Sequence, residues 1–517
     1  MEYDVIIVGA GSSGSTLAAR VSENPDKSVL LLEAGPDYPD FDQLPYELKY
    51  GHTRDAEVEG ASHNWSLTGV INEVQGNIHV AQGKVVGGSG AINGQIMLRG
   101  VPEDYDSWAP WANDEWSFMK VLPYFRKLET DHDIQDDFHG TDGPVPILRR
   151  HNQPWPIIQN AFYQACLNMN FRANEDLNAP DSSGIGPVPV NNPDGIRVSA
   201  ALSHLSMARH RMNLTIRSNV MVRRVTFSGT RANGVEVESG GQVFNIQGRE
   251  IILCAGGLKS PHLLMLSGIG PKDQLDAVNI PMLIDMPGVG QNLRNHPSVS
   301  VGVRVKEGVE LASDANEVRM GLRYTASGSD SANDMLIMTN SAFTTITGEP
   351  MPERTIRLSC ALEYPHSFGE VRLDSSDPSV QPYFNYNYLD EAWDRERLRE
   401  SVRLCLHLVS SSSYSDIVED VFNPTTEDLA SDDALDQWLK RTCGTARHVS
   451  GTCKMGPKID PKAVVDQYCR VWGVEGLRVA DPSILPNVTR ANTNATAIMI
   501  AERVADWLVE LQSRSLG

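Results

Sequence analysis

No stretch of the chain reaches the ~18 consecutive apolar residues from which a membrane-spanning helix is made, so no membrane partner is expected. The first apolar run begins at residue 4 without a basic flank or a small-residue cleavage site, which argues against a signal peptide. Positive charge is also scarce. Lys and Arg number 45 against 66 Asp and Glu, leaving a net charge of −21. Nucleic-acid binding needs a basic surface that displaces counterions, so a nucleic-acid partner is disfavoured, as is docking to anionic lipid. The seven cysteines (Cys166, Cys254, Cys360, Cys405, Cys443, Cys453 and Cys469) are odd in number, scattered and free of CxxC spacing. They point to reduced, mostly buried thiols and a cytoplasmic location, not to a zinc site or a disulfide framework. Aromatic residues make up only 7% and form no cluster, which disfavours an aromatic cage for a quaternary ammonium group. What remains is ordinary globular material, 41% hydrophobic and 21% charged. Its length suits about two or three domains.

The first thirty-five residues carry the most information. A short apolar run, DVIIV, leads into Gly9-Ala10-Gly11-Ser12-Ser13-Gly14, then a small-residue helical stretch, a second apolar run at 29–32, and Glu33-Ala34. Strand, glycine turn, helix, strand and acid make one dinucleotide-binding βαβ unit. Gly9 allows the tight turn, Gly11 lets a pyrophosphate approach the backbone, and Gly14 lets helix pack on strand. The phosphates sit on free N–H groups at the helix start. Glu33 accepts hydrogen bonds from a ribose diol, which favours FAD or NAD over NADP.

Further along, residues 220–227 and 235–238 alternate like paired strands, with Gly229 and Gly240-Gly241 at turns. Residues 250–254 (EIILC) read as a buried strand running into Ala255-Gly256-Gly257. Short alternating segments between 300 and 390 suggest an antiparallel sheet. Residues 389–410 and 495–511 read as helices. The acidic, turn-rich segment 131–143 reads as an exposed loop or lid edge, and it lacks the ligand spacing of a calcium loop. No metal is expected. Residues 83–93 (GKVVGGSGAIN) hold four small residues in a row, Gly87 to Gly90, flanked by apolar ones. Such a run lets backbone come very close to something flat or charged.

With these segments in view, the chain resembles the glucose–methanol–choline (GMC) family of FAD-dependent oxidoreductases. Residues 83–93 are similar to the family's first signature and 256–270 (GGLKSPHLLMLSGIG) to its second. Residues 288–297, 447–456 (RHVSGTCKMG) and 477–502 match in order, so the resemblance spans the chain. Met97, Gly257 and Arg294-Asn295 depart from the commoner family residues. Some relatives attach FAD covalently through a histidine at the position of Asn93; asparagine there implies noncovalent FAD.

The resemblance implies an α/β fold. A Rossmann-like FAD-binding domain would comprise residues 1–145, 193–297 and 445–517, and a substrate-binding domain built on an antiparallel sheet would comprise 146–192 and 298–444. It implies that Gly9, Gly11, Ser12, Ser13 and Gly14 hold the pyrophosphate, and that Glu33 with Ala34 holds the adenosine ribose. Gly83, Gly87, Gly88, Asn93, Gly94 and Ile96 would line the flavin or ribityl chain. Val222 would meet the adenine, and Ala255, Asp481 and Thr493 would touch other parts of the cofactor.

Oxidising an alcohol removes a proton from oxygen and a hydride from carbon, and the flavin takes the hydride. Histidine suits the proton, with an unperturbed pKa of ~6.5. Composition does not choose among thirteen histidines. The resemblance singles out His448 as base and Asn494 as the amide that holds the substrate oxygen. Asn494 is also a candidate helix N-cap, and Asn492, two residues away, is the alternative partner. His262 and His296 read as structural or cofactor-adjacent, and His63-Asn64-Trp65 is expected to place a residue near the cofactor. The expected partners are a small-molecule alcohol and oxygen or another electron acceptor, with choline not favoured. A hydroxynitrile lyase on the same scaffold and a noncatalytic flavin-binding redox sensor are the alternatives.

Overall fold

A computed structural model describes residues 2–52, 54–151, 155–311, 320–340 and 354–513. The apolar run at the start becomes the strand Glu2–Val8, buried in its second half, and the small-residue stretch becomes the helix Ser12–Val21. The next apolar run, Val29–Leu32, is buried throughout and pairs in parallel with the first strand. Continuous burial of such runs is what a parallel sheet covered on both faces demands. Leu214–Arg217 extends this sheet on one side. The long strand Gln242–Leu253 extends it on the other, parallel to Glu2–Val8. The first half of that long strand also carries an antiparallel meander, Met221–Ser228 and Arg231–Ser239. Its second half instead takes Leu477–Val479 in parallel. The turns expected at Gly229, Gly240 and Gly241 have positive φ there.

A second large sheet is antiparallel, in the order Val418–Asn423, Pro297–Val305, Thr355–Leu362, Met335–Asn340, Met320–Tyr324, Gly184–Pro187. Three of its strands, Met320–Tyr324, Met335–Asn340 and Thr355–Leu362, fall between 300 and 390, where the sequence predicts an antiparallel sheet, although Met320–Tyr324 is buried throughout and does not alternate. The helix Ala392–Val409 packs on this sheet and on the short helix Asp432–Thr442. A small four-stranded sheet ties Leu67–Val70 and Asn77–Val80 to Glu370–Arg372 and Tyr383–Asn385. The fold is therefore α/β, a Rossmann-like parallel sheet beside an antiparallel one.

Two long-range contacts build the site. The last helix, Thr493–Ser513, lies along Ser12–Val21. It is held there by Ser13 Oγ donating to the Ala497 carbonyl (2.9 Å) and by Arg20 on buried Glu502 (2.8 Å). Residues 444–445 pair with Pro297 and Ser298 at the edge of the antiparallel sheet. The carboxyl-terminal segments thus reach the glycine turn at the amino terminus.

One expectation is corrected. The segment 131–143 is not simply an exposed loop, since Asp131, His139 and Gly140 are buried. Arg149 forks onto Asp131 at 2.8 and 3.0 Å, His139 meets Glu129, Asp131 and Asp176, and Arg99 pairs with Glu129. Paired carboxylates fold inward because distant arginines compensate their desolvation. Glu129, Asp131 and His139 converge as metal ligands would, but the guanidinium groups of Arg99 and Arg149 already supply positive charge there. All seven cysteines are unpaired and buried. No helix among the described residues is long and apolar enough to cross a membrane.

Candidate active site

The two sheets enclose a cavity of about 1090 Å³ that runs from the glycine turn to the antiparallel sheet. Its nucleotide end is built by the turn after the first strand. Gly11 is the N-cap of the helix Ser12–Val21 and brings no side-chain cap of its own. The first-turn N–H groups therefore face the cavity as an anion site. A Cβ on Gly14 would stand 1.8 Å from the Gly9 carbonyl oxygen, so the strand-to-helix approach requires glycine there. The second glycine segment folds over the first. Gly87 N–H donates to the Ala10 carbonyl (2.7 Å), and a Cβ on Gly88 would lie 2.6 Å from the Gly11 Cα.

Most sequence-predicted cofactor residues share this one wall. Gly9, Gly11, Ser12, Ser13, Glu33, Ala34, Gly83, Gly88, Asn93, Gly94 and Ile96 line the cavity, as do Val222, Ala255, Asp481 and Thr493. Gly14 and Gly87 do not; they support the wall from behind, the first by packing and the second by its bond to Ala10. Asp481 also acts as a staple. Its carboxylate accepts from Gly256 N–H (2.9 Å) and Ser483 N–H (2.8 Å) and from the Ser260 hydroxyl. Glu33 is buried at the end of its strand, where it accepts from the N–H groups of Ala10 and Gly35, both at 2.9 Å. Burial pushes its carboxyl up to about 7, against the pull of those N–H groups.

These residues fit FAD. Gly94 and Gly256 border the cavity, and a Cβ on either would meet nothing within 4 Å, so the absent side chains leave open space along the wall. A buried acid for a ribose and a free helix start for a pyrophosphate lie at one end of that space.

At the other end stands His448. Its backbone N–H donates to Asn295 Oδ1 (2.7 Å), and the neighbouring Ala446 N–H donates to the His296 carbonyl (3.1 Å). Both contacts follow from the pairing of 444–445 with the strand Pro297–Val305. The ring is held at both nitrogens. Asn492 Nδ2 lies 3.0 Å from Nε2, and His296 Nδ1 lies 2.8 Å from Nδ1. An amide N–H only donates, so Nε2 carries a lone pair and the ring proton sits on Nδ1, donated to His296. Burial, then the neighbouring His296 and Arg447, hold the His448 imidazole well below its ordinary pKa. His448 is thus a neutral imidazole on the cavity lining, its Nε2 lone pair accepting from Asn492. His296 is buried and, by that burial, pushed down to about 3.

The pairing of His448 with Asn494 is corrected. Asn494 accepts from Ser12 Oγ (2.6 Å), and its amide nitrogen faces Met97 Sδ (3.2 Å). It lies inside the last helix, whereas Asn492 precedes that helix and turns toward His448. Asn494 still lines the cavity, but over the nucleotide turn. Of the other sequence candidates, Trp65 and His262 line the cavity, while His63 bonds to Tyr38 (2.8 Å) and Glu47 (3.0 Å). Burial, with Lys259 adding to it, pushes His262 down to about 3.

Sequence reasoning missed Asn295 and Glu363. In the sequence Asn295 stands out only as part of a departure from the commoner family residues. Glu363 follows the strand Thr355–Leu362 and carries no local signal. The rim of the cavity also holds an unforeseen ion-pair group, Glu57 between Arg447 (2.6 Å) and Arg54 (2.7 Å).

Comparison with known proteins agrees with this geometry. Family models described as GMC oxidoreductase match residues 3–298 and 365–501. The chain is 36% identical to an uncharacterised GMC-type oxidoreductase of Rhodococcus erythropolis, over 98% of each chain. It is 34% identical to an oxygen-dependent choline dehydrogenase of Chromohalobacter salexigens, over 98% of this chain and 94% of that one. The crystal structure of a pyridoxine 4-oxidase from Mesorbium loti superposes with a TM-score of 0.90 at 30% identity, covering 98% and 99% of the two chains.

Proposed function

Because the chain belongs to the GMC oxidoreductase family, we propose that it is an FAD-dependent enzyme that oxidises an alcohol to an aldehyde or ketone, with His448 as the base. The observation that carries this reading is that His448, its Nε2 3.0 Å from Asn492 Nδ2, lines the same cavity as the nucleotide turn. When bound, FAD supplies the hydride acceptor. His448 Nε2 takes the hydroxyl proton as the hydride leaves the carbon, a role that contributes roughly 10²- to 10⁴-fold. Asn492 Nδ2 donates to the oxygen as negative charge develops on it. Asn494 and Ser12 hold the cofactor side of the cavity. The lack of a histidine at position 93 supports noncovalent FAD. Oxygen or another acceptor then receives the electrons. The division into a discontinuous FAD-binding part and a substrate part, at the boundaries given above, belongs to the same proposal.

Choline is named for several relatives, yet this cavity offers its cation little. Tyr50, Trp65 and Phe422 are the Phe, Tyr and Trp rings on its described wall. Lys84 and Lys259 stand 4.7 and 4.5 Å from the Trp65 ring, and Arg304 stands 5.7 Å from Phe422. Two of the three rings are thus already engaged by cations, which makes a poor cage for another. The test is anaerobic mixing of the yellow holoenzyme with benzyl alcohol, pyridoxine, glycerol and choline. Bleaching of the flavin band by at least one alcohol, with the matching carbonyl product, supports the proposal. Turnover of a cyanohydrin without bleaching supports the lyase instead.

A further inference from the structure

His448 does not stand on its amide and its histidine neighbour alone. Behind it, His296 Nδ1 lies 3.6 Å from Glu363 Oε2. Glu363 is 2% exposed, borders the cavity, and its Oε2 has no hydrogen-bond partner among the described residues. A buried carboxylate oxygen without a donor costs free energy, and such a group in a cleft, beside a histidine pair, is a candidate for a role in the reaction.

We propose that Glu363 is a positioning residue of the proton-transfer step, supplying through His296 the counter-charge for the imidazolium that forms on His448. The inference rests on His448 acting as the base. When Nε2 takes the substrate proton, His448 carries both ring protons and a positive charge. Its Nδ1–H is donated to His296 Nδ1 (2.8 Å), and Glu363 Oε2 lies 3.6 Å from that same atom. The three side chains are neighbours, and both His448 and Glu363 border the cavity. The positive charge that appears on His448 is matched by the carboxylate of Glu363, the other partner of His296, which acts through space without touching substrate.

Other charged groups nearby are already committed. Arg323 is the guanidinium that acts on Glu363, and it donates to the carbonyls of Leu177 (2.8 Å), Arg490 (2.6 Å) and Arg99 (3.4 Å). Arg490 is paired to Asp104 at 3.0 Å. Arg447, beside His448, is paired to Glu57. Burial pushes the Glu363 carboxyl up to about 7, with Arg323 opposing, so the counter-charge switches on near neutral pH. A carboxyl with a raised pKa is neutral below that value and ionised above it. The flavin-reduction rate should therefore climb as pH rises through about 7.

The experiment compares wild type and Glu363→Gln, both as holoenzyme with normal flavin content. Two readouts are used: ¹⁵N spectra of histidine-labelled, substrate-free protein, assigned with His448→Asn, and anaerobic flavin reduction against pH with the alcohol that bleaches the flavin fastest. Expected are an inflection of the His448 resonances near pH 7 in wild type and its loss in Glu363→Gln. The reduction rate of the variant above pH 7 should fall by about tenfold to a hundredfold, the equivalent of one to two pKa units. Should the variant fail to hold flavin, the wild-type titration decides alone, and His448 resonances without an inflection near pH 7 overturn the proposal. An unchanged pH profile also overturns it, as does a rise in KM for a cationic alcohol with kcat unmoved, which would make Glu363 a substrate anchor. Because the spectra need no substrate, an enzyme that oxidises no alcohol would sink the proposed function, while the inflection of His448 and its loss in Glu363→Gln would still decide whether Glu363 acts on His448.

Discussion

Replacing Asn492 by alanine is the sharpest perturbation of the site, because two asparagines two residues apart compete for one role. The Asn492 amide nitrogen is 3.0 Å from His448 Nε2, so it can turn its donor to an oxygen placed at that lone pair. Loss of one donor to a developing oxyanion costs about 10²–10³ in rate, or about 2.7–4 kcal/mol. The variant also frees the His448 ring on one side, which adds to the loss. Asn494→Ala removes different contacts, the 2.6 Å bond from Ser12 Oγ and the approach to Met97 Sδ. It should weaken flavin retention while leaving the rate per bound flavin near wild type. Anaerobic stopped-flow reduction, normalised to flavin content, separates the two. The reasoning is refuted if Asn492→Ala reduces its flavin within threefold of wild type, or if Asn494→Ala alone shows the hundredfold loss.

Other outcomes follow from the same geometry. Gly14→Ala should yield protein with little flavin and a lowered melting temperature, since its Cβ would stand 1.8 Å from the Gly9 carbonyl oxygen and overpacking costs about 1–3 kcal/mol or more; flavin-to-protein ratio and thermal melts check both. Heat or acid denaturation should release the flavin into the supernatant, whereas yellow protein in the pellet would mean a covalent link. Acid should destabilise the fold between pH about 4.5 and about 2. Burial alone would raise the carboxyls of Glu57 and Glu502, but Arg447 and Arg54 around the first, and His204 and Arg20 around the second, outweigh it and hold both near about 2. Groups held below their unfolded value of 4.5 contribute stability above it and lose that contribution as pH falls toward 2. A melting temperature that stays flat across that window would contradict the assignment.

The parts of the fold that were legible in the sequence are those set by neighbours in the chain. The glycine turn, its flanking strands, Glu33 and the last helix each follow from local spacing, and the structure places them close to where the spacing puts them. What stayed hidden depends on contacts between distant segments. Asn492 and Asn494 look alike by sequence, and only the start of the last helix between them turns one to His448 and the other to Ser12. Glu363 reaches His296 because the strand Thr355–Leu362 pairs with Pro297–Val305, a register that no local pattern announces. The segment 131–143 looked exposed because its acids are visible in sequence, while Arg149 and Asp176, which draw Asp131 and His139 inward, lie elsewhere.

The central claim is that the imidazole of His448 takes the substrate proton while the alcohol reduces FAD in the same cavity. Single-turnover reduction of His448→Ala, loaded with flavin to the wild-type level, tests it most directly. The account predicts a loss of about 10²- to 10⁴-fold in the reduction rate, with flavin absorbance and melting temperature close to wild type. Reduction at the wild-type rate by the same alcohol would contradict it.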